Sequence, residues 1–160
     1  MSRDEWILLL TLVISFYNTG IIWMVQVSYR LWAFVGTAEF EPYHAAWWSG
    51  LQGIQPVVFP AAGLATLGAL ALLWWRPENI PGWMAWSGVV IQAAIWILTA
   101  LLWAPWQGQL HTAHVRLADG SLNPLYIRLL TTHWLRVGLI TAYGFLMLWM
   151  MVVHLTKRIP

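Results

Sequence analysis

Apolar runs unbroken by charge divide the chain into alternating long and short segments. The runs extend from Trp6 to Tyr29, from Ala45 to Trp75 with the most apolar part after Val57, from Ile80 to Leu110, and from Val137 to Val153. A bilayer's hydrocarbon core takes about 20 helical residues, so the pattern predicts four transmembrane helices over about 6–29, 54–75, 81–105 and 134–155. Arg76, Pro77, Glu78, Asn79, Pro81 and Gly82 supply the helix-breaking residues of one tight connection. An even number of spans then puts both termini on the side of that loop. The first run is too long for the apolar core of a signal peptide and is expected to stay as a helix.

The connections on the opposite side are long. Segments 28–55 and 106–133 are aromatic and partly amphipathic, with Phe40, Tyr43, Trp47 and Leu51 at helical spacing, which predicts packed interfacial helices. Pro42 suits the first turn of such a helix with Glu41 at its cap, Pro56 and Pro60 a bend where the helix enters the bilayer, and Asp119 to Pro124 a turn. The expected fold is therefore all-α. A single domain, residues 1–160, forms an integral membrane four-transmembrane-helix bundle with interfacial or extramembrane helical extensions on one side.

Composition agrees with a lipid solvent. The chain is 60% hydrophobic and 9% charged, whereas soluble domains carry about 25% charged residues; soluble, disordered and fibrous classes are excluded. Its 14 tryptophans suit the membrane–water boundary, where an apolar ring with a polar edge is at home. Trp6, Trp74, Trp75, Trp83, Trp86 and Trp149 gather on the terminal side, and Trp23, Trp32, Trp47, Trp48, Trp103, Trp106 and Trp134 on the other, with Trp96 between. The net charge of +2 comes from too few groups to make a basic face, so no nucleic-acid partner is expected; Lys157 and Arg158 are placed to meet lipid headgroups. Arg3, Arg76, Lys157 and Arg158 balance Arg30, Arg116, Arg128 and Arg136 across the membrane, a tie under the positive-inside rule. The free amino terminus tips the expectation toward cytoplasmic termini in an inner membrane.

Candidate chemistry lies on the loop-rich side. His44, His111, His114 and His133 fall there with Glu39 and Glu41. Glu41 and His44 are three apart, as are His111 and His114, so on a helix each pair shares a face. The first pair resembles the Glu-x-x-His unit with which helical bundles bind iron or manganese. Glu41, His44, His111, His114 and His133 form the candidate metal set, and nitrogen and oxygen ligands of this kind suit zinc, iron, manganese or copper without choosing among them. With no cysteine in the chain, thiolate and iron–sulfur chemistry are absent. Metal-free acid–base work by the same histidines, and plain interfacial hydrogen bonding, are the alternatives. His154, alone at the other end of the fourth span, reads as a headgroup contact, and haem ranks below the other sites because nothing sets His154 opposite another histidine.

Arg136 stands where the fourth span enters the bilayer. It can snorkel to lipid phosphate or turn inward to stabilise an anion formed at the His/Glu cluster. Deeper polar residues, among them Ser15, Thr19, Gln92, Thr99 and Tyr143, serve as packing contacts between helices or line a cleft. No acid or base lies deep in a span, which argues against a proton relay or ion pathway.

The segments Phe40-Glu41-Pro42-Tyr43-His44 before the second span, Trp96 with Thr99 and Pro105 through the third, and Trp134-Leu135-Arg136 opening the fourth resemble small bacterial four-helix membrane proteins similar to the anthrone-oxygenase-like family. That resemblance implies oxygenation of flat phenolic compounds, a cavity bounded by Trp134 and Arg136, and His44 beside it. Gln107 after Pro105 and His133 before Trp134 depart from the pattern, where histidine and asparagine respectively are common. The leading expectation is a membrane oxidoreductase acting on a hydrophobic small molecule. His44 or His133 is the base, Arg136 the anion stabiliser, and Tyr43, Trp47 and Trp134 the substrate walls. The alternative is a non-catalytic membrane subunit that holds lipid, quinone or pigment, or stabilises a homo-oligomer or larger membrane complex.

Overall fold

A computed structural model describes residues 1–110 and 113–157; within 51–59 it describes the backbone path and, Gly53 apart, not the side chains. Helix α1 (Arg3–Leu31) opens with a capping box. The Glu5 amide donates to Ser2 Oγ at 3.4 Å and the Ser2 amide to Glu5 Oε2 at 2.9 Å, satisfying two of the amides that a helix start leaves unpaired. A 3₁₀ turn (Trp32–Phe34) and Gly36 lead into α2 (Thr37–Trp74). At 38 residues α2 is about 57 Å long at the helical rise.

The interfacial helix expected before the second span is not a separate element. It is the first part of α2, which runs on through Pro42, Pro56 and Pro60. Glu41 is not a cap: the helix starts at Thr37, and Pro42 is exposed in its second turn. A carbonyl released there can turn to solvent, so the missing proline amide does not end the helix.

Helix α3 (Gly82–Leu98) continues through a π-helical turn (Thr99–Trp103) into α4 (Ala104–Leu110), making one rod beyond the expected 81–105. The wider turn precedes Pro105, whose ring would otherwise press on the Leu101 carbonyl one turn back. It also leaves Trp103 fully buried while Leu101 faces outward. After the expected turn, in which Gly120 takes φ +81°, α5 (Pro124–Thr156) begins with Asn123 as cap and Pro124 in its first turn. Ser121 donates through its hydroxyl and its amide to Asp119 (2.6 and 2.9 Å), and these bonds hold that carboxyl below its usual range. Arg116 fastens the turn to the 3₁₀ turn that follows α1, donating to the carbonyls of Gly120 (2.8 Å) and Ala33 (3.0 Å).

Helix α1 packs against α2 and α5, and α3 against the same two, so the four rods close a ring. Small residues allow the approach. A side chain at Gly68 would run into Thr11, and one at Gly144 would press on Thr19. Leu8, Ala69, Leu72, Met84, Met147 and their neighbours form the core toward the termini, and Tyr29, Trp32, Phe40, Trp103, Tyr126 and Leu129 one toward the long connections. Ile22, Ile95, Val137 and Ile140 lie between. Some deeper polar residues bond across helices: Tyr143 Oη donates to the Ala65 carbonyl (2.8 Å), Thr66 Oγ1 to Gln92 Oε1 (3.1 Å) and Trp96 Nε1 to Thr66 Oγ1 (2.9 Å), while Ser15 and Thr99 donate to carbonyls of their own helix.

The outer surface is apolar, with Trp23, Met24, Val90, Ile97, Leu101, Phe145 and Trp149 exposed. Three stretches, Arg3–Phe34, Gly82–Leu110 and Pro124–Thr156, are long and apolar enough to cross a membrane, while the apolar part described in α2, Pro60–Trp74, is shorter. An apolar coat on helices of this length is what lipid requires. The chain is all-helical among the described residues, with three helices fit to span a bilayer.

Candidate functional site

On the loop-rich side the ends of α1, α2, α3 and α5 meet in a layer of rings. Tyr29 lies 4.8 Å from Trp32 and 4.9 Å from His133, centroid to centroid. Trp32 in turn meets His44 edge-on at 4.9 Å and Trp47 at 5.1 Å. His44 is sandwiched between Phe40 (5.4 Å) and Trp47 (5.8 Å) along α2. Trp103, turned inward by the π turn, lies 6.1 Å from His133 and carries the Arg136 guanidinium over its face at 5.5 Å, a cation–π contact. Arg136 is also close enough to Tyr29 and His133 for electrostatic interaction with both.

Buried polar atoms almost always find a partner. Four side-chain atoms in this protein are buried without one among the described residues: Tyr29 Oη, Trp32 Nε1, His133 Nε2 and Arg136 Nε. All four residues belong to this one layer. Elsewhere buried polar side chains are paired: Tyr126 Oη donates to the Tyr29 carbonyl at 2.7 Å and Tyr143 Oη to that of Ala65. An orphaned buried donor or acceptor costs about 1–3 kcal/mol. Four in one layer single it out as the candidate site.

Their hydrogen-bonding roles can be assigned. The Gln26 amide nitrogen donates to the Leu130 carbonyl at 3.4 Å, which turns Oε1 toward His133 Nδ1 at 2.7 Å. Nδ1 therefore carries the proton, and in the neutral ring Nε2 presents a lone pair. The layer therefore holds three orphaned donors, Tyr29 O–H, Trp32 N–H and the cationic Arg136 Nε–H, and one orphaned acceptor nitrogen. No ion pair among the described residues neutralises Arg136.

Of the residues singled out in the sequence, His44, Trp47, His133 and Arg136 come together here. Arg136 turns inward rather than toward lipid headgroups. Tyr43 and Trp134 are exposed, Trp134 packing edge-on against Trp23 at 5.4 Å on the outer face. Neither is a wall of the layer: the inward stripe of α2 is Phe40 and His44 with Trp47 half-buried, and that of α5 runs through His133 and Val137. The five-residue metal set is not assembled: Glu41 and His114 are exposed while His44 and His133 are buried, and His111 lies outside the described residues. Among the described residues no three His, Asp or Glu side chains gather as metal ligands would. Gln26, Tyr29, Trp32 and Trp103 were not singled out. A glutamine three residues before a tyrosine on an otherwise apolar helix is the signal that points to them.

The headgroup role read for His154 is corrected. Its side chain is buried and its Nε2 lies 3.3 Å from Glu5 Oε1. Asn79 Nδ2 donates to the His154 carbonyl at 3.0 Å, so Asn79 Oδ1 faces Nδ1 at 2.9 Å and that nitrogen holds a proton. The cluster ties the start of α1 and the α2–α3 connection to the end of α5.

Compared with known proteins, the chain matches no family model, no curated protein and no solved structure.

Proposed function

We propose that the chain is a four-span integral membrane protein of the inner membrane, and that the ring layer is the site of an oxidoreductase acting on a hydrophobic small molecule. The fourth span is α2, whose length suffices and whose neighbours α1 and α3 both have spanning character. The observation that supports the site is the occurrence, in one layer of ring contacts, of an orphaned acceptor nitrogen and three orphaned donors. His133 Nε2 takes a proton from an acidic group of the substrate, and Arg136, with Tyr29 and Trp32, holds the oxyanion that remains. Such an anion is electron-rich, and dioxygen is the co-substrate that takes its electrons. His44, Trp47 and Trp103 supply flat walls. The anthrone-oxygenase-like resemblance points the same way through Arg136 and His44.

A second reading has its own support. Stacked rings around His44 also suit a pigment or quinone held without turnover by a membrane subunit. Extraction of mildly purified protein with organic solvent, followed by mass spectrometry and oxygen-uptake assay of the extract, separates the two. A small molecule recovered near one per chain from the wild type, lost from His133→Phe, and consuming oxygen only with wild-type protein supports the enzyme. Recovery without oxygen uptake supports the subunit, and a molecule retained equally by His133→Phe removes the site.

A further inference from the structure

We propose that hydrophobic carboxylic acids, such as free fatty acids of the surrounding membrane, occupy the ring layer as unreactive ligands that compete with its substrate. The inference rests on the reading that the layer binds the polar head of a hydrophobic molecule, and it follows from counting what the four orphaned atoms need. Three are donors and one is an acceptor. A ligand that satisfies all of them brings one proton to give and at least three lone pairs to receive. A carboxylic acid has that inventory: one O–H and two oxygens.

Charge points the same way. The Arg136 guanidinium lies over Trp103 and beside Tyr29, with no ion-pair partner among the described residues. A cation in a poorly solvated place is stabilised by an anion arriving to pair with it. Gln26 orients His133 through a neutral amide rather than a carboxylate, so it leaves the positive charge of the layer uncancelled.

The proton accounts for delivery. An acid partitions into lipid in its neutral form and enters the layer carrying its proton. The O–H bond breaks, the proton passes to His133 Nε2, and the carboxylate accepts from Arg136 Nε, Tyr29 Oη and Trp32 Nε1. No electrons move. The carboxylate, unlike an enolate or phenolate, is not an electron donor toward dioxygen, so the complex ends there.

The test is binding of ¹³C-carboxyl hexadecanoic acid to the full chain in phosphatidylcholine nanodiscs, against its methyl ester, hexadecanol and a 4-alkylphenol of equal length. Saturable binding of one acid per chain is expected, at least ~10-fold tighter than ester or alcohol, a factor that corresponds to one charge-assisted contact. Arg136→Gln loses that preference, and Tyr29→Phe, which keeps the ring, weakens acid binding several-fold. The ¹⁵N signal of His133 Nε2 moves from the lone-pair to the protonated form when the acid binds. Ester or alcohol binding as tightly as the acid, or acid binding unchanged in both variants, overturns the proposal. If the alkylphenol binds in a Tyr29-dependent way and the acid does not, the acid proposal fails while the site stands. If none of the four probes binds in a way that depends on Tyr29 or Arg136, both fail.

Discussion

Three buried tyrosines give a comparison inside one molecule. Tyr126 and Tyr143 each donate to a backbone carbonyl, at 2.7 and 2.8 Å, whereas the Tyr29 hydroxyl is buried with no partner. Replacing a tyrosine by phenylalanine removes the hydroxyl and leaves the ring packing largely intact. At Tyr126 and Tyr143 the change deletes a satisfied hydrogen bond and costs about 1 kcal/mol. At Tyr29 it deletes an unsatisfied group whose burial costs about 1–3 kcal/mol, offset in part by a small void where the oxygen was. The net expectation for Tyr29→Phe is a gain of about 1 kcal/mol. For a chain of this size that raises the melting temperature by about 2–4 °C, while the two control variants fall by a similar amount. The measurement is thermal unfolding, followed by tryptophan fluorescence, of detergent-purified protein stripped of bound lipid. Such a gain at the cost of function is the pattern of a binding site. A Tyr29→Phe protein that melts as early as Tyr126→Phe would mean that the hydroxyl is paired, and the ligand layer would lose its main support.

Other perturbations test other parts of the structure. Gly68→Val should push α1 from α2 and cost about 1–3 kcal/mol, and Thr11→Ala in the same chain should recover much of it, read as melting temperature; equal loss with and without Thr11→Ala would place the strain elsewhere. His154→Leu should cost about 1–3 kcal/mol by removing the imidazole that faces the buried Glu5 Oε1, and adding Glu5→Gln should restore part of the loss; an unchanged melting temperature in the single variant would show that the imidazole contributes nothing to the cluster. Because the chain has no cysteine, a thiol introduced at Glu78 or Asp119 is unique. Four spans predict that an impermeant maleimide labels these two positions from opposite sides of the membrane, with the termini on the side of Glu78. Termini on opposite sides would show an odd number of spans.

Charge-free runs are long-range signals, so the helices were legible in the chain: 6–29 and 134–155 lie within α1 and α5, 54–75 overruns α2 by one residue, 81–105 falls on the rod of α3, the π turn and α4, and the turn at Asp119 to Pro124 is where glycine and asparagine placed it. The boundaries were not. Pro42 and Pro60 read as a start and a bend, yet α2 runs through both; at Pro42, exposed in the second turn, the released carbonyl can turn to solvent. The site was legible in part. His133 and Arg136, three apart on α5, share an inward face and came together; Tyr43 and Trp134 face outward because rotation about a helix axis is set by packing against neighbours, which composition does not encode. Tyr29 and Gln26 escaped notice because a tyrosine near an interface is ordinary, and only the structure shows its hydroxyl unpaired. Glu5 and His154 are 149 residues apart, and no local pattern joins them.

In the function proposed, the layer around Tyr29, Trp32, His133 and Arg136 receives the polar head of a hydrophobic molecule. An experimental structure of the protein purified in native lipid tests it most directly. Non-protein density is expected within hydrogen-bond distance of Tyr29 Oη, His133 Nε2 and Arg136 Nε, continuing as an apolar body between Trp47 and Trp103. Those three atoms bonded instead to one another or to protein carbonyls, with the rings closed over them, would contradict it.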